Sequence, residues 1–191
     1  MQLLVPLSLL LGSVVALPPF HKEAFDYRTR SIDYKPWELA QFNLAPFNLT
    51  DMCIECEKKN FSSPLFDCSI KFNWDDPNAE QSCTCEDHWQ WDGVTKSQGA
   101  LNNYSTNYLI CKDDRAELFQ FKFVDFINLS NFSLSLTHMY KDTKNFPTPT
   151  IANMFAQPNI TLELMNKSVT AMTYSSPSDR PIKANITGMT I

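Results

Sequence analysis

From Cys68 onward the chain alternates: Cys68, Ile70, Phe72 and Trp74 are apolar, and Ser69, Lys71, Asn73 and Asp75 between and beyond them are polar. Period two is the pattern of a strand with one face in a core and the other in water. It returns at Phe119, Phe121 and Phe123 against Gln120 and Lys122, then slips to Val124 and Phe126. The slip predicts a bulge, or a strand covered on both faces. Phe132, Leu134, Leu136, His138 and Tyr140 alternate next with Asn131, Ser133, Ser135 and Thr137, a register that puts Asn131 in water. Further strands are predicted over 104–111, 160–164, 169–173 and 183–191, the last opposing Ile182, Ala184 and Ile186 to Lys183, Asn185 and Thr187. About seven short strands joined by polar turns predict an all-β fold, a single-domain antiparallel β-sandwich or β-barrel stabilised by disulfides. A short helix is predicted near 150–156, where Pro149 precedes an apolar stretch.

The N-terminus follows a different rule. Leu3 to Leu11 is a short aliphatic run, and Val14-Val15-Ala16 ends on the small residue that a signal peptidase requires. Residues 1–16 are therefore read as a signal peptide cleaved after Ala16, even though the leader has no Lys or Arg. The run is interrupted by Pro6, Ser8 and Gly12 and stops at Pro18, too short for the roughly 20 residues of a membrane span. Residues 17–35 mix charges, aromatics and Pro18-Pro19 without a period and read as an N-terminal extension, leaving 36–191 as the β domain.

Eight Asn-x-Ser/Thr sequons agree with export: Asn48, Asn60, Asn103, Asn128, Asn131, Asn159, Asn166 and Asn185, out of fifteen asparagines. With Ser plus Thr near a sixth of the residues, chance would give two or three. Asn128 and Asn131 compete, because two bulky glycans three residues apart collide. The expected address is secreted and extracellular, with no membrane contact once the leader is removed.

Six cysteines, Cys53, Cys56, Cys68, Cys83, Cys85 and Cys111, read as three disulfides in an exported chain, with fifteen pairings open. A zinc site built on Cys53 and Cys56, or on Cys83, Cys85 and His88, is the competing reading. Oxidising export converts such thiols to cystines, and Cys-x-Cys spaces poorly around one tetrahedral ion, so neither metal nor cofactor is expected. A redox Cys53-x-x-Cys56 lacks the strand-helix context. The net charge of −5 is spread, and basic residues cluster no further than Lys58-Lys59, which excludes a nucleic-acid stripe. Four glycines leave no phosphate loop.

Catalytic motifs are missing too. His21 lies in the extension, His88 beside Glu86 and Asp87, and His138 on the apolar register of a strand, where it reads as a core histidine with a hydrogen-bond partner. No Gly-x-Ser-x-Gly elbow or His-Glu-x-x-His helix occurs. Asp75, Asp76, Asp113 and Asp114 could supply a carboxylate pair for glycoside hydrolysis, although adjacent Asp residues at strand ends are more often turns or caps. Aromatics make up 13% of the chain. Trp89, Trp91 and Tyr104 fall in a predicted loop region, with Trp89 the natural plug for one end of the core. Trp91, ahead of the Asp92-Gly93 turn, and Tyr104 are the candidate ligand contacts.

The order of these pieces carries a resemblance. Trp37-x-Leu39-x-x-Phe42, the strand to Trp74 followed by Asp75-Asp76, Cys83 with Trp89 soon after, Cys111 and the Phe119-x-Phe121-x-Phe123 run together resemble the Alternaria major allergen family of small secreted fungal proteins. Phe132-x-Leu134-x-Leu136-x-His138-x-Tyr140-x-Asp142, with Pro147 beyond, is similar to a stretch recurring in its members, so the likeness spans residues 37–147. It implies a β-sandwich or β-barrel in proteins of plant interaction or allergy, with no catalytic residues to transfer. It also implies a Cys68–Cys83 cystine, contributing about 3 kcal/mol. Cys53, Cys56 and Cys85 are extra to that pattern, so the other two pairs stay open.

The expectation is a secreted, glycosylated fungal protein that binds an unknown host or cell-wall component, effector-like or elicitor-like and non-catalytic. Exposed apolar strand faces would suit a homodimer. Two alternatives are a secreted hydrolase acting on glycans and a carrier of a small apolar ligand in a barrel mouth.

Overall fold

The computed structural model describes residues 33–34, 38–114, 117–146 and 151–191, without the side chains at 33, 34, 113 and 114. The leader with its cleavage point, His21, Trp37 and Pro147 lie outside the described residues, as does the extension apart from Asp33–Tyr34.

Among the described residues thirteen strands form: β1 Asp33–Tyr34, β2 Phe47–Glu57, β3 Phe66–Asp76, β4 Gln81–Trp91, β5 Leu109–Asp114, β6 Glu117–Asn128, β7 Asn131–Lys141, β8 Ile151–Ala156, β9 Asn159–Thr161, β10 Glu163–Lys167, β11 Ala171–Ser175, β12 Ile182–Ala184 and β13 Ile186–Thr190. They make two antiparallel sheets. Sheet A runs β1-β13-β8-β7-β6-β5 with β9 also on β7, and sheet B runs β10-β11-β2-β3-β4 with β12 also on β2. The sheets pack face to face as a sandwich, so the barrel alternative is set aside. A 3-10 turn at Leu39–Phe42 precedes β2.

The three strongest alternations become β3, β6 and β7, because their apolar positions fall on one face and meet across the sandwich. Phe72 packs on Phe121 with centroids 5.1 Å apart and planes at 82°. Trp74 packs on Phe119 at 4.9 Å and 87°. Edge-to-face pairs of this kind add roughly 0.5–1.5 kcal/mol each beyond burial. The slip after Phe123 is a bulge: the β6–β7 register shifts between Phe123 and Asp125.

Four expectations are corrected. The predicted helix at 150–156 is the strand β8, with Ala152, Met154 and Ala156 buried. Its outward residues include Ile151 and Phe155, and that apolar content on both faces hid the alternation. Of the strand predicted over 104–111, only the part from Leu109 joins a ladder. The strand predicted over 160–164 splits at Leu162 between β9 in sheet A and β10 in sheet B. The last strand changes sheet at Asn185, β12 pairing with β2 and β13 with β8.

Candidate functional site

The register of sheet B decides the cysteines. Cys56 lies directly across the β2–β3 ladder from Cys68, both inward, and the two are bonded. Cys83 faces Trp74, whereas Cys68 faces Trp89 at the other end of the β3–β4 ladder. The expected Cys68–Cys83 bridge is therefore replaced by Cys56–Cys68. A second bond, Cys85–Cys111, ties β4 at the edge of sheet B to β5 at the edge of sheet A. Cys53 and Cys83 are free. A bulge between Thr50 and Cys53 turns Cys53 to the outer face, while Cys83 points inward. The two thiols thus sit on opposite faces of one sheet, and the expected third bridge does not form. Burial pushes the Cys83 thiol up to about 12, against a smaller downward pull from Lys112. Cys83 and Cys85 face inward and His88 outward, so those three do not converge on a metal.

The aromatic candidates are inside. β4 extends to Trp91, so Trp89 and Trp91 are strand residues, only 4% and 6% exposed. Trp89 packs on Phe123 at 5.6 Å and Trp91 on Phe126 at 5.8 Å. Tyr104, also 6% exposed, stacks on Phe126 at 5.3 Å. Trp91 Nε1 donates to the carbonyl of Thr95 at 2.8 Å. A turn holds that carbonyl: Gly93 takes a left-handed φ of 92°, and Asp92 Oδ1 accepts from the amides of Val94 and Thr95. The loop folds back and converts the proposed ligand contacts, Trp91 and Tyr104, into a plug at the upper end of the core.

His138 is a core histidine. Its Nδ1 donates to Asp76 Oδ2 at 2.7 Å, both side chains are fully buried, and the ring stacks on Phe119 at 3.6 Å. Asp76 Oδ1 accepts from the amide and side chain of Asn78, which also bonds the backbone of Ala45. One polar chain thus joins the β3–β4 turn to β7 in the facing sheet. Tyr140 packs over His138, and its phenol is held above the ordinary range first by burial, then by Asp76 and Asp142. Asp75, the residue before it on β3, faces outward and accepts from Asn48 Nδ2 at 2.9 Å. Asp75 and Asp76 therefore lie on opposite faces of a sheet and cannot flank one glycosidic bond. The side chains of Asp113 and Asp114 lie outside the described residues.

What pattern reading missed is a groove of about 670 Å³ on the outer face of β2, β3 and β4. Glu55, Glu57, Asp67, Lys59, His88 and Gln90 line it, with the sequon Asn103 at its rim. Gln90 Nε2 donates to Asp67 Oδ1 at 3.1 Å, and Lys59 Nζ lies 3.8 Å from Asp67 Oδ2. His88 Nε2 is 2.9 Å from Glu86 Oε1. Apart from Lys59, which follows β2, these polar residues occupy the outward positions of strands whose inward positions supply the core. Only the ladder brings them together, so nothing along the sequence marks them as a group.

Seven of the eight sequon asparagines are exposed and Asn48 is half-buried, whereas only Asn43, Asn73 and Asn107 of the other seven asparagines are exposed. Outward apolar side chains remain at Ile110, Val124 and Ile127 on sheet A and at Leu164 and Met165 on β10. No helix among the described residues is long and apolar enough to cross a membrane. Compared with protein families, curated proteins and solved structures, the chain matches none.

Proposed function

We infer that this chain is a secreted, glycosylated fungal protein that acts by binding, without turnover, as an effector or elicitor-like protein toward a host or cell-wall component. The observation that carries the binding reading is the groove on sheet B. It is a concave surface built on three rigid strands and lined by polar side chains suited to a polar partner. Glu55, Glu57 and Asp67 outnumber Lys58 and Lys59 there, so the surface favours a polar or cationic partner over an apolar one. Exposure of the sequons and two cystines support the extracellular address. The likeness to the Alternaria major allergen family supports the fungal, host-facing setting.

The hydrolase alternative loses its Asp75–Asp76 pair to the opposed faces of β3. The apolar carrier loses its barrel mouth, because the space between the sheets is filled by Phe72, Trp74, Phe119 and Phe121. The test sets the secreted protein against chitin, β-glucan, pectin and host cell-wall protein, measuring both retention and release of reducing ends. Saturable retention without release, weakened at least tenfold in Glu55→Lys/Asp67→Lys, is the expected result. Reducing ends released by the wild type and lost in Asp75→Asn or Asp113→Asn would overturn the non-catalytic reading.

A further inference from the structure

Cys83, Cys85 and Cys111 bring three sulfurs within 4.8 Å of one another, yet only two of them are bonded. Cys83 Sγ lies 3.9 Å from Cys85 Sγ, with both side chains on the inward face of β4. Across from them, Cys111 sits where the β5–β6 register shifts between Ile110 and Lys112. It is the extra residue of a bulge, without a ladder partner to fix its position, and bulged residues can re-aim their side chains. A free thiol and a disulfide are therefore in one place, and one of the two bonded cysteines sits on a bulge.

The geometry points to a thiol–disulfide exchange site, in which Cys83 attacks Cys111 and moves the staple between the two sheets from Cys85 to Cys83. The Cys83 thiol gives up its proton and its sulfur bonds to Cys111 Sγ. The Cys85–Cys111 bond breaks, and Cys85 leaves as a thiolate that takes up a proton. No external oxidant or reductant is consumed.

Attack on Cys85 itself, whose sulfur lies 3.9 Å from that of Cys83, gives the worse product bond. Residues two apart on one strand are separated by roughly 6.6–6.8 Å, at the limit of disulfide reach, and their Cβ atoms stand too far apart. Cys111 lies on β5, not on the same strand as Cys83, and its sulfur is within 4.8 Å of the Cys83 sulfur. The closed loop grows by only two residues, so chain entropy hardly distinguishes the isomers. Exchange slides the staple one pleat repeat along β4 while both edges stay joined. It thereby changes which thiol is left free, Cys83 or Cys85.

Burial keeps the Cys83 thiol mostly protonated at neutral pH, with Lys112 on β5 opposing it and Glu117 on β6 holding that ammonium at 2.7 Å. Since the thiolate is the attacking species, exchange should quicken roughly tenfold per pH unit between pH 7 and 10.

The test uses the full secreted chain carrying Cys53→Ser, to exclude bonds between molecules. The protein is held at pH 7 and pH 9, quenched in acid, denatured and labelled with N-ethylmaleimide, and the label is assigned by fragmentation on either side of Thr84. Label moving from Cys83 to Cys85, about a hundredfold faster at pH 9, is the expected result. In Cys85→Ser, secreted with a wild-type circular dichroism spectrum, Cys83 and Cys111 should be bonded. Label confined to Cys83 at both pH values, label appearing on Cys111, or two free thiols in folded Cys85→Ser would each overturn the exchange site. Should Cys85→Ser fail to fold, the labelling kinetics of the Cys53→Ser chain decide alone.

Discussion

Along one long edge of the sandwich, β4 and β5 are bolted together by Cys85–Cys111. Beside that bond, Gln81 of β4 donates to Glu117 of β6, which also accepts from Lys112 of β5. On the other side of sheet B, the β10–β11 hairpin ends the sheet with all five residues of β10 exposed. An edge strand presents unpaired amides and carbonyls to any passing chain. The first edge is closed covalently. The second is broken up by a register shift between Leu164 and Asn166, flanked by Glu163 and Lys167, and carries the sequon at Asn166. One sandwich thus answers the same hazard with a bond inside and, on our reading, a glycan outside.

The largest expected effect comes from unbolting the closed edge. Cys111→Ala removes both pairings open to that staple and should cost about 3–4 kcal/mol in urea unfolding, since the bond closes a sequence separation of 26 residues. Cys56→Ala with Cys68→Ala should cost less, about 3 kcal/mol, because that bond spans 12 residues and joins strands already paired. Next comes the open edge. Asn166→Gln should change the unfolding free energy of the unglycosylated chain by less than about 0.5 kcal/mol. In the glycosylated protein, the same change should raise self-association in sedimentation velocity, and equal association with and without it would break the comparison.

Asp87, also on the closed edge, gives a small effect. Its Oδ2 is buried without a hydrogen-bond partner, and burial holds the carboxyl above its ordinary range despite the amide of His88. A carboxyl whose value is raised by folding favours the folded state below the ordinary carboxylate range, and that contribution is lost as pH rises through the folded value. At pH 7 the charged, buried group is therefore a cost. Asp87→Asn should raise Tm by about 1–3 °C at pH 7 and leave it unchanged at pH 3.

The fold was legible where inward residues are large and apolar, as along β3, β6 and β7. It was illegible at β4, whose inward positions are Gln81, Cys83, Cys85 and Asp87 before the two tryptophans, so period two carries no hydrophobic signal there. β2 hides for a related reason: its bulge between Thr50 and Cys53 shifts the phase midway. Missing β2 and β4 left Trp91 and Tyr104 in an open loop, whereas the Cys68–Cys83 pairing came from the family resemblance and fails on the β2–β3 register. A histidine on the apolar register of a strand needs a partner, and that argument found the setting of His138, though not Asp76 as the residue that meets it. The groove could not be read at all, because Glu55, Asp67 and His88 become neighbours only when three strands pair.

The central claim is an oxidised sandwich whose outward asparagines carry glycans. Non-reducing peptide mapping of the protein secreted from a eukaryotic host, before and after enzymatic deglycosylation, tests it most directly. The account predicts a chain beginning at Leu17, a Cys56–Cys68 bond, and glycans on Asn60, Asn103, Asn159 and Asn166. A chain retaining its leader, with reduced Cys56 and Cys68 and bare asparagines at those four positions, would contradict it.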